Sequence, residues 1–253
     1  MVCELRDTER AAKLFEGWQE TLIWSCLQGV MGKVYGDSPE SPSSAMAVLG
    51  DFCFFAGEPD RELVLYEPGQ SGREFLIMVP QHDGWAPVIQ ECYGERAKKA
   101  LRYAIKKEPD VFDRDKLEGI VAGLSGEYTL NMIDERLFWH IRKERWCRDL
   151  VSQFDDYELY RKHGLGAVVE KDGEPVSGAS SYSGYMGGIE IEIDTREDYR
   201  RRGLATVCGA KLILECLDRG WYPSWDAHNK WSVGLAEKLG YHFDREYQVF
   251  EIT

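Results

Sequence analysis

The sequence predicts an α/β (α+β) fold in which strands are flanked by helices, clearest in the C-terminal region and preceded by a smaller α/β region. Three observations carry this. The run Gly188-Ile-Glu-Ile-Glu-Ile-Asp194 alternates strictly, as a strand with its isoleucines on one face does. Residues 204–219 then read as a helix ended by Gly220, mostly apolar, with Lys211, Glu215 and Asp218 forming one stripe at i, i+4, i+7. Asp172-Gly173 joins the runs 166–171 and 174–183 as a hairpin turn does.

In chain order, residues 9–28 have helical spacing, with Ala11, Leu14, Phe15, Trp18, Leu22 and Cys26 on one face, Ile23 at its edge and Gly17 interrupting the run. Residues 29–36 read as a turn and short strand, and 37–44 as a polar Pro/Ser loop. The apolar runs 45–56 and 74–79 have strand character, set off by turn clusters at 57–60 and 67–72. Residues 94–107, rich in Ala, Lys and Arg, predict a helix. The proline in Lys107-Glu-Pro-Asp110 then marks a boundary between an N-terminal domain, residues 1–110, and a C-terminal domain, residues 111–253. Beyond it come helix 113–123, strand 127–133, helices 135–143 and 155–163, the hairpin, the Ile189 strand and helix 204–219. Strand 222–227, helix 229–239 and a closing strand 243–252 complete the order.

A hydrophobic fraction of 43% with 12% aromatics suits a chain that buries a core rather than a disordered one. No apolar run approaches a membrane span, and the charged start lacks a secretory h-region, so a cytoplasmic protein without a membrane partner is expected. Seven cysteines without a C-x-x-C pair read as free thiols, and the five histidines lack metal spacing, so no metal is expected. The net charge of −13 divides as −6 in residues 1–110 and −7 in the rest. Acidity this evenly spread disfavours nucleic acid and favours a cationic amine. Trp221, Trp225 and Trp231 read as core or helix-edge packing.

The chemistry concentrates where the Ile189 strand runs through a turn into helix 204–219. Small residues at Gly203 and Ala205 allow backbone amides close approach, the helix start is partially positive, and Arg200, Arg201 and Arg202 stand beside it. These are the requirements of a pyrophosphate site. Neither G-x-x-x-x-G-K-[ST] nor G-x-G-x-x-G is present. The pattern is Arg200-x-x-Gly203-x-Ala205, followed by Asn229-x-x-Ser232 and Leu235-Ala-Glu-Lys-Leu-Gly-Tyr241. It resembles the acyl-CoA loop and following helix of the GNAT superfamily of N-acyltransferases. The layout is similar to a bacterial two-part GNAT group that includes an acetyltransferase giving resistance to the aminopolyol zwittermicin.

The resemblance implies a mixed, largely antiparallel GNAT sheet in 111–253 and transfer of an acetyl group from acetyl-CoA, the cosubstrate, to a small-molecule amine. It places the pantetheine arm along Ile193, Asp194 and Thr195 and the pyrophosphate on Arg200, Arg201, Arg202, Gly203, Leu204, Ala205 and Thr206. Asn229 and Ser232 then flank the pantetheine. The position that often carries the family's general-acid tyrosine is Ala236 here, so Ser232, Tyr241, Tyr247 or water must serve, or the module is a non-catalytic, regulatory CoA binder. Glu190, Glu192 and Asp194 share the strand face opposite the isoleucines, where Glu192 is the expected proton acceptor and Glu190 its reserve. The N-terminal domain, with no phosphate loop of its own, reads as an acceptor-binding domain or a decayed copy of the same fold. A homodimer is compatible with all of this.

Overall fold

A computed structural model describes residues 1–67 and 75–253. By contact the chain divides into two units, Met1–Arg102 with Glu246–Thr253, and Tyr103–Arg245. Residues 68–74, which carry most of the 67–72 turn cluster and the first residue of the 74–79 run, lie outside the described residues.

In the first unit, β1 (Cys3–Glu4), β2 (Lys33–Gly36), β3 (Ser44–Leu49) and β4 (Phe52–Gly57) pair antiparallel in sequence order. The run 45–56 is therefore a hairpin rather than one strand. Gly50 at φ +57° begins its two-residue loop and sets Leu49 opposite Phe52, a turn that needs the left-handed conformation. The helix expected over 9–28 is likewise two pieces, α1 (Glu9–Ala12) and α2 (Thr21–Leu27), because Gly17 adopts φ +79° between them. Ile23, expected at the edge, is wholly buried.

After β4 the short helix α3 (Arg61–Val64) precedes β5 (Leu76–Pro80), which runs parallel to β4. Helix α4 (Trp85–Tyr93) follows, then the long strand β6 (Ala97–Ile105). Residues 94–107 are thus strand where composition predicts helix. Gly94 at φ +56° stops α4, and pairing of Tyr103 and Ala104 with a later strand claims the other end, so tertiary pairing overrides a modest propensity.

The second unit opens with α5 (Arg114–Ala122), β7 (Thr129–Met132), α6 (Glu135–Ile141) and α7 (Tyr157–His163). Asp113, Asp134 and Asp156 cap these helices, each accepting an amide three residues on at 2.8–3.0 Å. Next come β8 (Gly166–Lys171), β9 (Glu174–Tyr185), β10 (Gly188–Thr195), α8 (Leu204–Asp218) and β11 (Tyr222–Ser224). The five-stranded sheet has the order β11-β10-β9-β8-β7, antiparallel except where β11 joins β10. Leu204, Cys208, Leu212 and Ile213 of α8 form a buried cluster with Val169, Val176, Ile189 and Ile191 of the sheet. A Cβ at Gly209 would come within 2.7 Å of Leu239 Cδ1, so the glycine lets α8 and the next helix approach.

The strand expected over 222–227 is two. β11 ends at Ser224, and after the buried Trp225 the chain continues as β12 (Asp226–Ala227), which pairs with Tyr103 and Ala104 instead of β10. Helix α9 (Lys230–Leu239) and β13 (Phe243–Ile252) close the order. Residues 250–252 of β13 pair with β5 in the first unit. In both units a strand is followed, after a helix, by a parallel neighbour, β4 by β5 and β10 by β11.

Candidate functional site

The site begins where β11 leaves β10. The two run parallel only over Gly188–Glu190 and Tyr222–Ser224. Tyr222 N–H donates to Gly187 O at 2.8 Å, so the backbone groups of the odd-numbered residues of β10 point to that edge. Past Ser224 the neighbouring chain has turned away, and Ile191 and Ile193 direct their N–H and C=O into a fork. The even residues pair on the other edge, Glu192 with Ser180 and Asp194 with Gly178 of β9.

The fork leads into the loop 196–203. The guanidinium groups of Arg196 and Arg202 both lie over the Tyr199 ring, at 4.5 and 4.7 Å from its centre, and the ring is edge-on to Tyr128. Arg196 is paired with Asp198 at 2.8 Å, and Arg202 donates to Tyr128 Oη at 3.3 Å and Asp198 O at 2.9 Å. Arg200 Nε donates to Thr195 O at 3.3 Å. Arg201 (φ +60°) and Gly203 (φ +81°) turn the chain through the left-handed region, and a Cβ at Gly203 would meet nothing within 4 Å. Gly203 caps α8 without a side chain. Its carbonyl takes the amides of Thr206 and Val207, while those of Leu204 and Ala205 precede any helical acceptor. Bare amides, a helix start and exposed Arg200 and Arg201 form a cradle for an anion.

Along the carboxylate face of β10, Glu190 is 6% exposed, and Glu192 and Asp194 are half-buried. Burial, reinforced by Asp149 nearby and partly offset by Arg200, pushes the Asp194 carboxyl up to about 6. Thr195 Oγ1 shares a hydrogen bond of 2.7 Å with Ser177. Asn229 caps α9, accepting from Ser232 N–H at 3.0 Å, while Ser232 Oγ accepts from Trp225 Nε1 at 3.1 Å. Ala236 is fully buried. Tyr241 is buried too, donating to Pro223 O at 2.6 Å, and burial holds its phenol well above the usual range. Tyr247 is half-buried. Trp231, expected to pack, is 90% exposed.

The strand, the loop and the helix start thus follow one another at the fork, within one unit, and Ser232 is tied to Trp225 just past the end of β11. Sequence reading missed the two arginines over Tyr199, although arginines three residues to either side of a tyrosine are their visible signal. Tyr128 and Asp149 carry no local signal, because they arrive from distant segments.

A family model described as GNAT acetyltransferase matches residues 12–250. The chain belongs to the GNAT acetyltransferase family. The N-acetyltransferase YdfB of Bacillus subtilis (strain 168), uncharacterised, is 28% identical over 91% of this chain and 89% of its own. A GCN5-related N-acetyltransferase-like protein of Streptococcus suis 89/1591, solved at 1.80 Å, is 47% identical with a TM-score of 0.92 over 98% of both chains. A putative GNAT acetyltransferase of Novosphingobium aromaticivorans, at 17% identity and a TM-score of 0.53 over 83% of this chain and 88% of its own, shares the fold. This GNAT member is accordingly an acyltransferase enzyme of the N-acetyltransferase type, and its two largely antiparallel sheets flanked by helices are the fold of its relatives. Among the described residues no helix is long and apolar enough to cross a membrane.

Proposed function

We propose that the protein transfers an acetyl group from acetyl-CoA to an amino group of a small molecule by direct attack, and that the second unit holds the donor. The fork between β10 and β11, opening onto the Arg200–Ala205 cradle, carries this reading. A pantetheine arm needs backbone partners along an open strand edge, and Ile191 and Ile193 supply them, with Asp194 and Thr195 continuing the line. A pyrophosphate needs bare amides and cations without crowding: Gly203, Leu204, Ala205, Arg200 and Arg201 supply those, Thr206 adds its side-chain hydroxyl, and Arg202 holds the loop's shape. When bound, the thioester contributes an activated acyl group with a thiol leaving group.

The chain's own role is to orient and to move protons. Glu192, half-buried just past the end of β11, takes the proton of the attacking amine, with Glu190 the alternative one step deeper. Ser232 accepts from Trp225, which leaves its hydroxyl hydrogen to donate towards the departing sulfur. The first unit serves the acceptor. The start of its crossover helix α3 is closed by its own Asp60, which accepts from Glu62 and Leu63 N–H, and two carboxylates there repel phosphate. The seven free cysteines suit a cytoplasmic setting.

Calorimetry of CoA on wild-type and Gly203→Glu protein tests the donor site. The substitution puts a negative side chain into the cradle in a backbone conformation that disfavours any side chain. Affinity should fall at least about tenfold, equivalent to about 1.4 kcal/mol. Unchanged affinity in a folded variant overturns the assignment.

A further inference from the structure

Three side chains form a row across three strands where the fork closes. Glu190 of β10 is in register with Ser183 of β9 on one side and Ser224 of β11 on the other. Paired residues on neighbouring strands project their side chains from the same face. Both serines are fully buried and Glu190 nearly so. Neither Ser183 Oγ nor Ser224 Oγ has a hydrogen-bond partner among the described residues. The other buried serines of β9 are engaged: Ser177 with Thr195, Ser180 with Tyr160 and Ser181 with Leu165. An unsatisfied buried hydroxyl costs about 1–3 kcal/mol, so two of them flanking one carboxylate mark a place where a ligand supplies the missing bonds. Tyr185 walls one end, since its Oη would lie 2.4 Å from a Cβ at Gly188, two residues before Glu190 on the same face. The other end of the row's face leads along β10 to Glu192.

We propose that Ser183, Glu190 and Ser224 anchor a charged primary amino group of the acceptor, at a nitrogen other than the one acetylated, so that the acceptor is a diamine or polyamine. A primary ammonium has three N–H donors and no acceptor, and the row offers two hydroxyl oxygens and a carboxylate. A nitrogen held by three acceptors is held as its ammonium, with its lone pair engaged by a proton. Such a nitrogen is fixed in place and cannot attack. The reacting nitrogen is then the one beside Glu192, and the inference rests on the reading of Glu192 as proton acceptor. Residues two apart on a strand are roughly 6.5–7 Å apart, which makes a four-carbon diamine the matched probe. The acidic chain, at −13, favours such a dication over a neutral alcohol.

The test compares kcat/KM for 1,4-diaminobutane and for butylamine, with acetyl-CoA, in the wild type, Ser183→Ala and Ser224→Ala. The wild type should prefer the diamine, and each variant should lower the diamine-to-monoamine ratio about tenfold, through KM. The melting temperature should hold or rise, because an unsatisfied hydroxyl is being removed. No preference in the wild type overturns the proposal. So does an unaltered ratio in both variants, which would mean that the row holds only water. A melting temperature lowered by several degrees in both would make the serines structural and equally overturn it. If neither amine is acetylated, calorimetric binding of 1,4-diaminobutane decides. Binding weakened by both substitutions upholds the row while the enzymatic reading fails, and no binding to the wild type overturns the row whether or not CoA binds.

Discussion

Arg200, Arg201 and Arg202 are adjacent in sequence and differ in what they do. Arg202 is spent on Tyr199, Tyr128 and Asp198 O, Arg200 reaches back to the end of β10, and exposed Arg201 turns the chain. A composition argument sees one basic knot, whereas each of the three has its own part in the loop. A further single-residue consequence concerns Asp194. Its carboxyl, ordinarily near 3.8, titrates at about 6 in the folded chain. Between those values the folded state keeps a proton that the unfolded state has lost, so stability falls as pH rises through the window and the cost is complete above about 6. Asp194→Asn removes that cost. It should stabilise the protein by up to about 3 kcal/mol at pH 7.5 and have little effect at pH 4. Thermal melts at both values check this, and an equal shift at both would show that charge is not the cause.

At the scale of elements, legibility followed how local the determining interaction is. Helices α5, α6, α7 and α9 begin at Asp113, Asp134, Asp156 and Asn229, each a cap within its own segment, and all four were readable. The hairpin at Asp172-Gly173 was readable for the same reason. Strand β6 was not, because nothing inside Ala-Lys-Lys-Ala-Leu-Arg announces that Asp226 and Ala227 will pair with its far end. The loop and helix start of the candidate site were visible as residues, but the fork depends on β11 and β12 joining different sheets, and no residue type encodes that alone. The serines of the buried row share this fate, since their significance arises only from register. One element contact is open to direct test. Gly209→Val pushes α8 against the buried Leu239, and overpacking of this kind costs about 1–3 kcal/mol. Denaturant unfolding should show a lowered midpoint, and an unchanged one would mean that α9 shifts freely.

For the whole molecule, the division of the chain is not the division of the fold. Residues 246–253 belong to the first unit, and Phe250, Glu251 and Ile252 pair with Met78, Ile77 and Leu76 of β5. Val249, Phe250 and Ile252 are buried, each contributing about 1.5–3 kcal/mol. That sum rivals the whole stability of an ordinary domain. A protein shortened to residues 1–245 should therefore lose the fold of a unit whose other residues end at 102. Proteolysis with mass spectrometry checks this, and protection of residues 1–102 equal to that in the intact protein would refute it.

The late arrival of β13 also sets a timetable for synthesis. At about 5–20 residues per second, roughly 7–30 s separate the emergence of residue 102 from that of residue 246. Throughout that interval β5 has β4 on one side and waits for its other neighbour. A nascent chain with an apolar strand edge exposed is a target for chaperones and for aggregation. The Tyr103–Arg245 unit is made entirely within the wait, so the unit begun first is the last to be finished.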